Sequence, residues 1–341
     1  MVFRVEMTSM QRAVLIIADS ADTHADAVEC LLRDKYQLTY RLNLDKDALL
    51  KTHLSIRENK ATIYTHQGVV TTDDIGAIWV RRAFVELSIE EREAETVDET
   101  IWRNEWNRSL LGLYHDLSQH HWVSPLPLTV RAENKPYQWS VARKIGLKVP
   151  RTLTSNLKHE LEDFCKSCGG QVAFKLLHQD IYRRDQQVVG FYTNKIGLAD
   201  LERFTESGEN PITVQEYIDK AYEVRWTVVG NRHFPCRIES QLSESTKIDW
   251  RRYNIPKTPH YSMETPESVK WQVAKLMEVL GLAYGALDFI VTPRNEWYFL
   301  EVNPTGQWLW IEDLTGLQIT TALVDLLYLL NSKYSLEEDN P

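Results

Sequence analysis

Apolar positions near the start of the chain switch between short solid runs and helical spacing. Residues 13–19, AVLIIAD, are a continuous apolar run of strand length, and HADAVECLLRD (24–34) repeats its apolar residues at helical intervals. A buried strand followed by an amphipathic helix is predicted. YQLTYRLN (36–43), the alternating ATIYTH (61–66) and IGAIWVRR (75–82) add strands. Between Ile89 and Gln119, the residues Val97, Ile101, Trp102, Trp106, Leu110, Leu113, Tyr114 and Leu117 recur every three or four positions, which predicts one long helix with an aromatic core stripe. The two prolines of WVSPLPLTV (122–130) end that pattern and mark a boundary.

A second unit then opens with a helix over Lys135–Ile145 capped by Gly146, a strand KVPRTL, a helix Leu157–Cys168 and a strand QVAFKLL. QDIYRRDQQ separates that strand from VVGFYTN, suggesting a hairpin between the two. ITVQEYI precedes two long strands, YEVRWTVVG and RHFPCRIES, joined at Gly230-Asn231. A helix Pro266–Leu280, capped by Gly281, leads to the strands GALDFIVT and WYFLEVN, joined at Pro293–Asn295, and a helix over Gln318–Leu330 follows. The acidic stretch after Ser335 reads as a disordered tail. The whole is of mixed α/β (α+β) class, divided as an N-terminal α/β domain 1–128, a central subdomain 129–212, a C-terminal lobe 213–334 and a tail 335–341.

Composition narrows the function classes. A chain of 341 residues with 43% hydrophobic and 26% charged content has the make-up of a globular protein of about two domains. Its net charge of −9 opposes nonspecific nucleic-acid binding, which needs a basic surface to replace phosphate counterions. No stretch approaches the roughly 18–20 apolar residues of a membrane span, and the N-terminus lacks the features of a secretory signal, so a cytoplasmic location is expected. Cys165 and Cys168 form a C-x-x-C pair, but at the end of a helix and without a second Cys or His pair nearby, which opposes redox or zinc use.

Charged residues inside apolar strands carry the chemistry. Asp288 lies in ALDF and Glu301 and Asn303 lie in FLEVNPTG, with Glu301 and Asn303 on one face by the strand period of two. Carboxylates in such surroundings are costly unless paired or metal-bound. Two carboxylates and an amide are the hard oxygen donors that Mg²⁺ prefers. Lys175, within AFKLL, needs an anionic partner, and Lys135 opens a helix; nucleotide phosphates would serve both. Gln215, Glu216, Tyr217 and Ile218 form an extended stretch able to bond an adenine edge, and the Glu223 carboxylate can reach ribose hydroxyls. The chain contains no G-x-x-x-x-G-K-[ST] motif.

Activating a carboxylate beside a triphosphate sets like charges together, at roughly 4 kcal/mol per pair of unit charges at 4 Å and an effective dielectric near 20. Cations must offset this. Arg225 and Arg237, in paired strands, and Arg251 and Arg252 are candidates. Arg251 could clamp a substrate carboxylate, and Asp249, across Trp250, could orient or deprotonate the nucleophile.

The order of these signals over about Val130 to Leu330 resembles the ATP-grasp ligases, and FLEVNPTG with the upstream LDF is similar to their metal-binding core. The resemblance implies an ATP-grasp fold behind a Rossmann-like pre-ATP-grasp domain, with Asp288, Glu301 and Asn303 holding two Mg²⁺ ions. It also implies Lys135 and Lys175 on ATP phosphates, Gln215 to Ile218 at adenine and Glu223 at ribose. AIWVRRA, KPYQWSVARKIGLKVPRTL, VQEYIDKAYEVRWTVVG, DWRRYN and ALDF…FLEVNPTGQWLW resemble one branch, the microviridin and graspetide peptide maturases. That branch implies a precursor peptide with leader and core segments. A Glu or Asp of the core would be phosphorylated and attacked by Thr, Ser or Lys, giving ω-ester or ω-amide crosslinks, with Asp249, Trp250 and Arg251 engaging the core. It further implies leader recognition near His178–Phe191 and a homodimer. Two alternatives are a ligase that adds free amino acids to a protein or peptide carboxylate, and a nucleotide-binding regulator without turnover.

Overall fold

The structure, a computed structural model, describes residues 12–338 except 59, 178–180, 185–186, 191–192, 205–209, 244–246 and 249–257. A four-stranded parallel sheet opens the chain, in the order Thr39–Asn43, Ala13–Ala18, Ile75–Val80, His121–Val123. Every residue of Ala13–Ala18 is buried, because a central parallel strand is covered on both faces. On one face Val14, Ile16 and Trp79 pack with helix Thr23–Asp34 and, from the other end of the chain, with Leu323, Val324 and Leu327 of helix Ile319–Glu338. On the other, Leu15 and Ile17 pack with helix Val97–Asp116 and a small antiparallel sheet of His53–Arg57, Lys60–Thr65 and Gly68–Thr71.

Two antiparallel sheets follow. The central one runs Asn194–Gly197, Gln171–Lys175, Ile212–Glu216, Thr152–Ser155 and is backed by helix Lys158–Ser167. The C-terminal one runs His260–Ser262, Arg232–Ile238, Tyr222–Val229, Tyr284–Val291, Trp297–Asn303. One of its faces buries Val224, Trp226, Leu287, Phe289 and Phe299 against helices Lys135–Lys144 and Glu267–Leu280. The other adds Val229, Ile238 and Tyr284 to the core that holds the N-terminal sheet. One continuous core therefore ties the C-terminal lobe to the N-terminal domain.

Several expectations are corrected. The helix expected over 89–119 is two, Ile89–Ala94 and Val97–Asp116, because Glu95 is extended and Thr96 restarts the helix through a capping box with Glu99. Its apolar stripe is buried from Leu110 onward, while Val97 and Ile101 are exposed. A helix, Leu126–Ala132, crosses the proline-rich boundary, since a proline in the first turn has no N–H to lose. The strand expected at KVPRTL begins only at Thr152. The VVG start of VVGFYTN pairs within Gln187–Gly190 to Ile181–Arg184 rather than to QVAFKLL, and Gln171–Lys175 pairs instead with Asn194–Gly197. The last helix continues to Glu338, into the stretch expected to be disordered. An unforeseen helix, Leu309–Thr315, precedes it.

Candidate functional site

The hairpin formed by Tyr284–Val291 and Trp297–Asn303 sets Asp288 directly opposite Glu301. A bulge beside Asp288 leaves Leu300 as an extra residue, so Leu300 and Glu301, though consecutive, both line one cleft. Arg225 lies opposite Asp288 on the neighbouring strand, and its Nη1 donates to both carboxylate oxygens at 3.0 and 2.9 Å. Both side chains are about nine-tenths buried, and a carboxylate this dry is stable only with such a partner. The Lys135 Nζ lies 3.0 Å from Glu301 Oε2. Asn303 projects from the same strand, its Oδ1 accepting from the Thr305 amide at 2.9 Å.

Trp297–Asn303 is an edge strand, so its outer backbone groups need partners. The helix begun by Lys135 supplies them. Gln138 donates to Val302 O at 2.8 Å and accepts from Val302 N at 2.8 Å, and Trp139 Nε1 donates to Leu300 O at 2.7 Å. These bonds straddle Glu301 and fix its height against Lys135.

The cleft between the central and C-terminal sheets brings together Lys135, Lys175, Gln215, Glu216, Tyr217, Ile218, Glu223, Asp288 and Glu301. Gln215 Nε2 donates to Thr152 Oγ1 at 3.0 Å, while its Oε1 is buried without a hydrogen-bond partner among the described residues. Burial raises the Tyr217 phenol pKa, helped by the negative charges of Asp219 and Glu223. Lys220 also lines this cleft and was missed by sequence reasoning, because DKAYE reads as a polar turn. Its side chain is almost wholly buried, with Nζ 2.7 Å from Glu223 Oε1 and 3.0 Å from Ile248 O. Arg237 is placed elsewhere. It pairs with Val224, on the opposite sheet face from Arg225, stacks 3.8 Å over Tyr222 and donates to Glu239 at 2.6 Å. Asp249, Trp250, Arg251 and Arg252 lie outside the described residues, as do parts of the segment His178–Phe191. Ile248, immediately before them, stands on the cleft wall.

A second, wider cleft of about 550 Å³ adjoins the first and shares Lys135 and Glu301 with it; Arg225, Asn303, Glu133 and Arg81 also line it. Arg81 comes from the end of the N-terminal strand Ile75–Val80. Its Nε donates to Asp22 Oδ2 at 3.1 Å and its Nη1 to Thr305 O. Burial works against ionisation of Asp22, yet Arg81, the Ala25 amide and His24 leave its pKa below the usual value. His24 accepts from Trp308 N at 3.1 Å, and burial and then Arg81, opposed by Asp22, lower its pKa from 6.5 to about 4. Glu133 is raised by desolvation and by Glu86.

The donor set beside Asp288 consists of hard oxygens from two carboxylates and an amide, which fits Mg²⁺ and not a softer ion. Among the described residues there is no cluster of three or more His, Cys, Asp or Glu side chains that could hold a metal ion.

Residues 13–129 match the MvdD pre-ATP grasp domain family. No curated protein matches the chain. Among solved structures, the chain is similar to a RiPP-associated ATP-grasp ligase of Chryseobacterium gregarium in complex with ADP and a leader and core peptide, with 28% identity, a TM-score of 0.84, and coverage of 93% of this chain and 96% of that one. The macrocyclase MdnC of Microcystis aeruginosa MRC, bound with precursor peptide MdnA, is similar at 25% identity and a TM-score of 0.81, covering 93% and 99% of the two chains. The macrocyclase MdnB of the same organism follows at 25% and 0.71, with the same coverage. With residues 13–129 matching a pre-ATP-grasp domain and 93% of the chain following these ligase structures, the chain has the ATP-grasp fold behind an N-terminal pre-ATP-grasp domain, the build of the peptide ligases it is similar to.

Proposed function

We propose that the protein phosphorylates Glu or Asp side chains of a ribosomal precursor peptide with ATP and closes ω-ester or ω-amide crosslinks to Thr, Ser or Lys. The observation that carries this reading is the register of Asp288 against Glu301 at the junction of two clefts. One cleft has nucleotide chemistry and the other has room for a side chain and its acceptor.

In this reading Gln215 to Ile218 hold the adenine, with the unpartnered Gln215 Oε1 as an acceptor suited to an amino group. Glu223 meets the ribose, while Lys135 and Lys175 hold the phosphates. Asp288, Glu301 and Asn303 hold Mg²⁺, which when bound would screen the phosphate charges and favour phosphoryl transfer. Arg225 faces both Asp288 and the second cleft, so it steadies the carboxylate under attack. Asp249 and Arg251 follow Ile248 of the cleft wall and are assigned to the incoming peptide, acting on nucleophile and carboxylate. The space within the first cleft is about 60 Å³, below the roughly 300–1,000 Å³ of a small-molecule site. Nucleotide entry therefore requires this cleft to widen.

The RiPP-associated ligase and MdnC were seen with peptides carrying leader or precursor segments, which supports a peptide substrate with leader and core here. A homodimer, a microviridin-like product and a cytoplasmic setting belong to the same reading. Among the described residues, no helix is long and apolar enough to cross a membrane. The test is mass spectrometry of a candidate precursor peptide after incubation with the protein, ATP and Mg²⁺. Losses of about 18 Da per ring, one water each, support the reading, since ring closure is a condensation through an activated carboxyl. Mass gains matching added amino acids would sink it in favour of a free-amino-acid ligase.

A further inference from the structure

The AIWVRRA block contains Arg81, a residue that the nucleotide reading leaves without a task. Its guanidinium is immobilised from several sides. Trp79 and Trp308 rings lie 5.9 and 5.5 Å from it, Asp22 takes Nε, and the Thr305 carbonyl takes Nη1. The side chain is only 6% exposed, yet it lines the second cleft. Nη2 has no partner among the described residues.

Arg225 reaches the same cleft from the other domain in a similar condition. Its Nη1 is committed to Asp288, while its Nε is buried without a hydrogen-bond partner among the described residues. An unsatisfied buried donor costs about 1–3 kcal/mol, which applies to Arg225 Nε, and the Arg81 Nη2 edge adds a second donor on the same cleft. Asp22 and Asp288 already balance the two arginines from behind, and Glu301 balances Lys135. A planar, singly charged anion that accepts several N–H bonds suits these donors. The walls shared with the nucleotide cleft place such an anion beside the phosphate end of that cleft.

We propose that Arg81 of the N-terminal domain, together with Arg225, receives the substrate's side-chain carboxylate in the cleft between the domains. This rests on the ligase reading and assigns the N-terminal domain a direct part in binding the group to be activated. Arg81 also anchors the Asn303–Gly306 turn through the Thr305 carbonyl, so carboxylate binding and the metal-side oxygen of Asn303 share one support.

The test uses glutarate, which presents the end of a Glu side chain, with neutral glutaramide as the control. Arginine ¹⁵Nε signals of the full chain are followed by NMR, with Arg81 assigned from its disappearance in Arg81→Lys. Glutarate is expected to shift the Arg81 and Arg225 signals saturably and glutaramide to leave them in place. Arg81→Lys is expected to weaken glutarate binding about tenfold, the scale of one charge-assisted hydrogen bond, while calorimetric binding of ADP without Mg²⁺ is retained. Glutarate that leaves the wild-type Arg81 signal unmoved at saturation overturns the assignment. So does glutarate binding that is equally tight in Arg81→Lys. In either case MgADP binding to the wild-type protein would leave the ligase reading standing, whereas absence of MgADP binding would strike that reading itself.

Discussion

Gly306 offers the sharpest check on the packing behind the site. A Cβ added there would stand 2.5 Å from Ala286 Cβ, 3.0 Å from Arg225 Nη2 and 3.3 Å from Asn303 O. Carbon atoms in contact sit about 3.5–4.0 Å apart, so Gly306→Ala falls short by roughly 1 Å against a buried strand residue that pairs with both Thr227 and Asn303. The strand cannot yield, and the turn carrying Asn303 must. Overpacking of this kind costs about 1–3 kcal/mol, or a fall of about 1–4 °C in Tm for a protein of this size. It also pushes Arg225 away from Asp288, so MgADP binding should weaken in the same variant. The control is Ala286→Gly, which removes the opposing methyl. In that background, adding Gly306→Ala should cost clearly less, because the closest contact is gone and those left are Arg225 Nη2 at 3.0 Å and Asn303 O at 3.3 Å. Calorimetry and thermal melts of the four proteins complete the cycle. A Gly306→Ala protein with unchanged Tm and MgADP affinity, or a loss that Ala286→Gly does not relieve, would refute the reasoning.

Three further outcomes follow from other contacts. Arg225→Ala removes the guanidinium that faces the buried Asp288 carboxylate and should cost about 3–5 kcal/mol in thermal or denaturant unfolding, with part of the loss recovered in Arg225→Ala/Asp288→Asn. Gln138→Leu leaves both backbone groups of Val302 without their side-chain partner, so a loss of about 2 kcal/mol is expected, with hydrogen exchange faster at the Val302 amide. His24 has a folded pKa near 4 against 6.5, so as pH falls below 6.5 the unfolded chain binds the proton first. Its contribution is complete above pH 6.5 and is lost towards pH 4, by up to about 3 kcal/mol. His24→Gln should flatten the Tm profile across that window, and an unchanged slope would show that His24 does not set it.

The legible parts of the protein were local ones. GALDFIVT and WYFLEVN announce their hairpin by strand-length apolar runs, and the charged residues that break those runs are the ones that meet at Asp288 and Glu301. Lys135, Lys175, Gln215 and Glu223 were found as exceptions to local pattern or through family resemblance, and the structure gathers them on one cleft. What sequence periodicity could not reveal depends on distant partners. Lys220 is buried only because Glu223 and Ile248 close over it. Arg81 meets Thr305, and His24 meets Trp308, across most of the chain. The strands His53–Arg57 and Gly68–Thr71 carry too little apolar alternation to stand out, and the break at Glu95 is made by side-chain capping that a continuous helical stripe conceals.

The most direct test of carboxyl activation is to run the peptide reaction with hydroxylamine in excess. An acyl phosphate formed on Glu or Asp would be intercepted as a hydroxamate, a gain of about 15 Da at that residue, since an activated carboxyl yields to the strongest nucleophile present. The account predicts this adduct with ATP and Mg²⁺ in the wild-type protein and its loss in Glu301→Gln. Crosslinked peptide formed without any trapped adduct, or an adduct undiminished in Glu301→Gln, would contradict it.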